Sequence, residues 1–203
     1  MKTVRERIIA RIKKRREGSV FSPKDFLDLG SRPSVDKTLS NLTKEGVTRR
    51  IGRGLYDRPK RSRLLREQLG PDIDQAAQAI ARKHRWTIAP AGATAANLLG
   101  LSQQVPAKIV YLSDGPSRRL KVGGQVLAFR HANPKDLRMP NYSSRLIAQA
   151  LRFVGRDHVT QEMLDRLRRR APKKDIQALL RDARYGTDWI LDVARQIAED
   201  DRE

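Results

Sequence analysis

A chain of 203 residues is long enough for one large domain or two small ones, and with 38 % hydrophobic and 33 % charged residues it is polar yet globular. Its 43 Lys+Arg against 23 Asp+Glu leave a net charge of +20 and a pI near 11.1, which points to a polyanionic partner, nucleic acid first and an anionic membrane surface second. The absence of cysteine excludes a disulfide framework and a thiolate metal site, and no apolar run approaches the roughly 20 residues of a membrane span.

The N-terminus enters a charged amphipathic helix directly, without the pattern of a signal peptide. A cytoplasmic protein that does not insert into membranes is therefore expected. Residues 1–66 carry 20 Lys+Arg against 7 Asp+Glu, so most of the charge excess lies in the first third.

In that third, Val4, Ile8, Ile9 and Ile12 fall at helical spacing, and Gly18 is expected to stop the helix. Ser19-Val20-Phe21 reads as extended. Ser22-Pro23 is an N-cap pattern that predicts a second helix, with Phe26, Leu27 and Leu29 on its apolar side and Gly30 at its end. The turn Ser31 to Ser34 leads into a third helix, capped by Ser34 or Ser31, whose Val35, Leu39 and Leu42 face inward.

The other side of that helix carries Lys37, Ser40, Asn41 and Lys44, with Thr38 at its margin and Arg32 and Ser34 at its start. Such side chains donate to phosphates or read base edges, Asn suiting adenine and Lys suiting guanine or phosphate. A solvated polar face is the plain alternative. Val47 to Ile51 then alternates as a strand, Gly52-Arg53-Gly54 turns, and Leu55-Tyr56 returns. Arg49, Arg50 and Arg53 ride on this hairpin, and Arg at such a tip enters a minor groove or clamps phosphates, an edge hairpin protected by charge being the plain alternative. Helix, helix, turn, helix and hairpin make the order of a winged helix-turn-helix over residues 1–66, with the third helix in the major groove of double-stranded DNA. Lys60 to Arg66 is a basic segment that serves as a linker, a phosphate-tracking arm or the start of the next helix.

Residues 67–203 are expected to form an α+β domain, with 67–142 mixed and 143–203 helical. Asp72 caps a helix carrying Ile73, Ala76, Ala77 and Ile80. Trp86-Thr87-Ile88 reads as a strand and Ala93 to Leu99 as a small-residue helix ended by Gly100. Ala107 to Leu112, Arg118 to Val122 and Gln125 to Phe129 read as strands of a small, mostly antiparallel sheet, with turns at Asp114-Gly115-Pro116 and Gly123-Gly124. From Ser143, four apolar stripes predict four helices, around Leu146–Val154, Met163–Leu167, Ile176–Leu180 and Trp189–Ile197. The six basic residues of Arg166 to Lys174 read as a solvated helix end or as a second polyanion contact, the first favoured because residues 143–203 balance 13 basic against 11 acidic residues.

No catalytic constellation stands out. There is no phosphate-binding Gly-rich loop and no nucleophile elbow, and His84, His131 and His158 lack ligand spacing, so neither an enzyme nor a cofactor or metal is expected.

The chain resembles the antitoxins of type IV toxin–antitoxin systems, the abortive-infection E (AbiEi-like) group. The resemblance rests on Leu39-Ser-Asn-Leu42 through Gly46 to Arg50-Ile-Gly-Arg-Gly-Leu-Tyr56. More specific are Ile88-Ala-Pro-Ala-Gly-Ala-Thr-Ala-Ala-Asn-Leu-Leu-Gly-Leu-Ser102 and Val105-Pro-Ala-Lys-Ile-Val-Tyr-Leu-Ser-Asp-Gly115. It implies a transcriptional repressor of its own operon, acting in phage defence, that neutralises a nucleotidyltransferase-type toxin through its C-terminal domain. A relative of this size that stands alone keeps only the regulator's role. Two other classes compete: a protein that binds RNA or a toxin without reading DNA, and a nuclease built from distant carboxylates. Aromatics at 5 % argue against single-strand stacking. Oligomeric state is open, and binding as a pair implies repeated or inverted operators.

Overall fold

A computed structural model describes residues 2–62, 67–104, 106, 108–184 and 186–199. The expected strand start at Ala107, Val105 of the resemblance motif, and residues 63–66 of the basic segment lie outside the described residues. The chain is mixed α+β and divides into two compact units. The first holds Met1–Trp86 with Leu120–Leu127; the second holds Thr87–Arg119 with Ala128–Glu203. The first unit extends beyond the 1–66 expected for the DNA-binding domain.

In the first unit, α1 (Val4–Lys14) opens on a capping box. Thr3 accepts from the Glu6 amide at 3.2 Å, and Glu6 accepts from the Thr3 amide at 2.9 Å. The helix ends at Lys14, before Gly18, because Arg15 turns extended (φ −78°, ψ 146°) and sets its guanidinium 5.7 Å from the rings of both Phe21 and Phe26. Strand β1 (Val20–Phe21) follows.

The helix expected from Pro23 is a single 3-10 turn, Pro23–Phe26. Two arginines of α1 do the work of a longer helix there: Arg11 donates to the Asp25 carbonyl at 3.0 Å and Arg7 to the Leu29 carbonyl at 2.8 Å. Leu27 remains 43 % exposed, so no continuous apolar stripe exists to hold further turns. Helix α2 (Arg32–Lys44) is capped at Ser31, with Pro33 in its first turn. Strands β2 (Arg49–Gly52) and β3 (Leu55–Asp57) pair antiparallel, and β1 pairs with β3, giving the order β1-β3-β2.

Ile8, Ile12, Phe21, Phe26, Val35, Leu39, Leu42 and Tyr56 form the core between these elements. Helix α3 (Ile73–His84), capped by Asp72, belongs to the same unit. Its Arg82 donates to the Val20 carbonyl at 3.0 Å and fixes the helix beside β1.

The second unit contains β4 (Ile88–Pro90), α4 (Gly92–Leu98) and β5 (Ile109–Ser113). Strands β6 (Arg118–Val122) and β7 (Gln125–His131) form a hairpin whose turn end, Leu120–Leu127, is part of the first unit. Strand order is β4-β5-β7-β6. The strand expected at Trp86 begins two residues later, because α3 ends on Arg85 in the left-handed region (φ 60°) and Trp86 lies over the His84 ring at 4.6 Å. Helices α5 (Tyr142–Val154), α6 (Gln161–Arg170), α7 (Lys173–Ala183) and α8 (Asp188–Glu199) complete the unit. Their apolar stripes pack with Ala95, Ala96, Leu99 and Leu101 into the larger core. Among the described residues, no helix is long and apolar enough to cross a membrane.

Candidate nucleic-acid interface

Helix α2 divides cleanly. Val35, Leu39 and Leu42 are fully buried, which orients the opposite side outward. Arg32, Lys37, Ser40, Asn41 and Lys44 are exposed, and Ser34 is half-buried. Positions 37, 40, 41 and 44 follow helical spacing and form one strip along the axis. Arg32 pairs with Asp36 at 2.7 Å, and Arg5 of α1 reaches Glu45 beyond the helix end at 2.7 Å. Among the described residues, Lys37 and Lys44 form no ion pair, so the strip itself carries uncompensated charge.

Thr38 does not share that strip. It is 8 % exposed, and its hydroxyl donates to the Ser34 carbonyl at 2.8 Å. One turn of helix satisfies the hydroxyl, leaving no outward donor.

The β2–β3 hairpin separates its three arginines. Arg49 turns inward: Nη2 donates to Asp57 Oδ2 at 2.6 Å, Nε to Oδ1 at 3.2 Å, and Nη1 to the Leu69 carbonyl at 2.9 Å. Asp57 is fully buried. Arg49 is therefore a structural tie, against its expected place as a wing contact. Arg50 and Arg53 are exposed and form no ion pair among the described residues. Gly54 follows Arg53 at φ +66°, the region where a side chain is strained, so the tip needs glycine to turn there. A Gly123 amide donates to the Ile51 carbonyl at 2.9 Å, capping the edge of β2.

Much of the remaining charge in the first unit is used internally. Arg11 holds Asp28 at 2.6 Å, and these hydrogen bonds keep the Asp28 carboxyl below the usual range. Arg58 donates to the Lys13 carbonyl at 2.9 Å and to that of Arg15. Burial pulls the Arg15 guanidinium below its ordinary value. Net charge thus overstates the cations available to a partner. Those left facing outward include Lys37 and Lys44 of α2 and Arg50 and Arg53 of the hairpin, as well as Lys13, Lys14 and Arg16 at and just after the end of α1.

Two cations that sequence reasoning missed, Lys24 and Lys83, adjoin this surface. Lys83 ends α3, where it reads as a complement to the helix dipole. Only the packing of α3 brings it to the β2–β3 turn.

The second unit holds a polar cavity of about 420 Å³ where β7 meets α5, lined in part by Arg130, His131, Asn133 and Arg152. Arg166 to Lys174 is partly internal: Arg166 binds Glu162 at 2.6 Å and the Gly100 carbonyl, and Arg168 binds Asp165 at 2.7 Å. Among the described residues, no group of three His, Asp or Glu side chains is placed to hold a metal.

No curated protein matches the chain. The model of the family of unknown function DUF6088 matches residues 7–181, from the first turns of α1 into α7, and the chain belongs to that family.

Proposed function

We propose that the protein is a sequence-specific double-stranded-DNA-binding repressor whose first unit is a winged helix-turn-helix. In this reading the 3-10 turn and α2 are the helix-turn-helix, and β2–β3 is the wing. The strip of α2 enters the major groove, Asn41, Ser40 and Lys37 meet base edges, and Lys44, Arg50 and Arg53 meet phosphates. One observation carries the reading: α2 buries its apolar side completely while its opposite strip stays polar, cationic and open, beside a glycine-flanked arginine turn.

The test is a duplex titration followed by backbone amide resonances. Shifts concentrated in 32–45 and 50–54 are expected. Shifts confined to the second unit would contradict the assignment.

The antitoxin role is the further part of the proposal, and its support is the resemblance carried by Ile88–Ser102 and Val105–Gly115. The protein would then repress its own operon, bind repeated operator sites as pairs, and neutralise a nucleotidyltransferase-type toxin through its second unit. Rescue of growth when the chain is co-expressed with the neighbouring gene tests this. Lack of toxicity from that gene alone would leave a stand-alone regulator.

A further inference from the structure

Lys83 lies where four elements of the first unit converge. Its carbonyl accepts a hydrogen bond from Lys24 Nζ of the 3-10 turn at 2.9 Å. A Cβ built on Gly54 would stand 3.4 Å from Lys83 Nζ, which places the ammonium against the turn that carries Arg53. Arg32, at the start of α2, repels it electrostatically as well. Partial burial, followed by repulsion from Arg32, Lys24 and Arg53, holds the Lys83 ammonium below the ordinary lysine value.

Counter-charge is scarce at this point. Arg32 has Asp36 at 2.7 Å. Asp25 is engaged by Arg15 at 3.8 Å and Arg82 at 3.5 Å. Among the described residues, no carboxylate pairs with Lys24, Arg53 or Lys83. Helix-dipole complementation explains a cation at the end of α3, but not the approach of cations from three other elements. Like charges gathered this way repel, and an anion among them turns each repulsion into attraction.

We propose that Lys24, Arg32, Arg53 and Lys83 form one phosphate-binding cradle, which seats a backbone phosphate of the duplex beside the groove that α2 enters. The proposal rests on the DNA-binding reading of α2 and adds a contact from α3, outside the helix-turn-helix and wing. A phosphodiester suits the site because lysine and arginine from different directions can each take a different oxygen.

The experiment measures anisotropy of the full chain on its own upstream duplex and on a shuffled duplex, between about 50 and 200 mM salt. Lys83→Gln and Lys24→Gln should each reduce the log–log salt slope by about 0.9 on both duplexes, the loss of one phosphate contact. Lys174→Gln, exposed on α7 of the second unit, is the control. An equal reduction in the control, or none in the two cradle variants, would overturn the cradle. If upstream and shuffled duplexes bind alike while the cradle variants still lose slope, the sequence-reading role fails and the cradle stands.

A second measurement needs no variant. The Lys83 side-chain nitrogen resonance of the wild-type chain is titrated with inorganic phosphate, then with duplex. A shift with phosphate that duplex competes away supports the backbone phosphate. A phosphate shift that duplex leaves in place assigns the site to a free phosphate and overturns the backbone assignment. No shift with either overturns both.

Discussion

Arg49 and Asp57 face each other across the β2–β3 pair, joined by two hydrogen bonds of 2.6 and 3.2 Å, with the Asp57 carboxylate shut away from solvent. The pair stands one strand-length from the exposed Arg53, on the same hairpin. A single short hairpin therefore assigns its arginines to different tasks. One holds the fold, and two face outward.

The two ends of the pair should fail unequally. Arg49→Met leaves a carboxylate buried without a partner and should cost about 3–5 kcal/mol. Asp57→Asn leaves an arginine that can reach solvent and should cost less. Urea unfolding monitored by backbone amide resonances of the first unit checks the order, and equal losses would contradict the inward role of Arg49. The double variant Arg49→Met/Asp57→Leu should recover part of the loss.

Stability and recognition should separate on α2. Leu39, fully buried, should cost about 2–5 kcal/mol when cut to alanine. Asn41→Ala, on the exposed strip, should leave the melting curve within about 0.5 kcal/mol of wild type. Thr38→Val should behave as a core substitution with unchanged DNA preference. A change in preferred sequence with Thr38→Val would return that residue to the readers.

Gly54→Ala should destabilise the turn by about 1–3 kcal/mol, because φ +66° is strained for any residue with a Cβ. Its Cβ would also come into ordinary contact with Lys83 Nζ, at 3.4 Å. Gly46→Ala gives the comparison: φ is +73° there, but no atom lies within 4 Å of the added Cβ. Thermal melts should show both losses, and only Gly54→Ala should also move the Lys83 resonance.

Arg145 holds the second unit together from inside. The residue is 8 % exposed, and its guanidinium donates to the carbonyls of Ile88 and Pro140 at 2.8 Å, and to that of Met139. Burial lowers its pKa from the ordinary value. Arg145→Leu strands three carbonyls and should cost about 3 kcal/mol or more. Arg169→Leu, exposed on α6, should change stability by under about 0.5 kcal/mol.

How far the sequence could be read depends on which forces act locally. The stripes of α5 to α8 are long and periodic, so burial and pattern agree, and those helices lie where the periodicity puts them. The two-glycine turn likewise marks the β6–β7 hairpin. Local signals failed where a distant side chain substitutes for a backbone bond. Arg7 and Arg11 cap carbonyls of the segment after Pro23, so a helical start becomes one 3-10 turn. Arg49 looked like Arg50 and Arg53 because charge does not reveal which face of a strand is buried. Thr38 was one residue from the strip, and its inward hydroxyl bond is invisible in a list of polar residues. The cluster around Lys83 joins positions 24, 32, 53 and 83, which no spacing rule connects. A toxin partner has no signature of its own in these residues and rests on the resemblance alone.

In the proposed function, the reading of base pairs falls to α2. It is tested most directly by anisotropy of wild type and Asn41→Ala on the upstream duplex and on a shuffled duplex at matched salt. Wild type should prefer the upstream duplex by about 10³-fold or more, and Asn41→Ala should narrow that gap by about 1–3 kcal/mol without changing the salt slope. Equal affinity of wild type for both duplexes, collapsing together as salt rises, would contradict it.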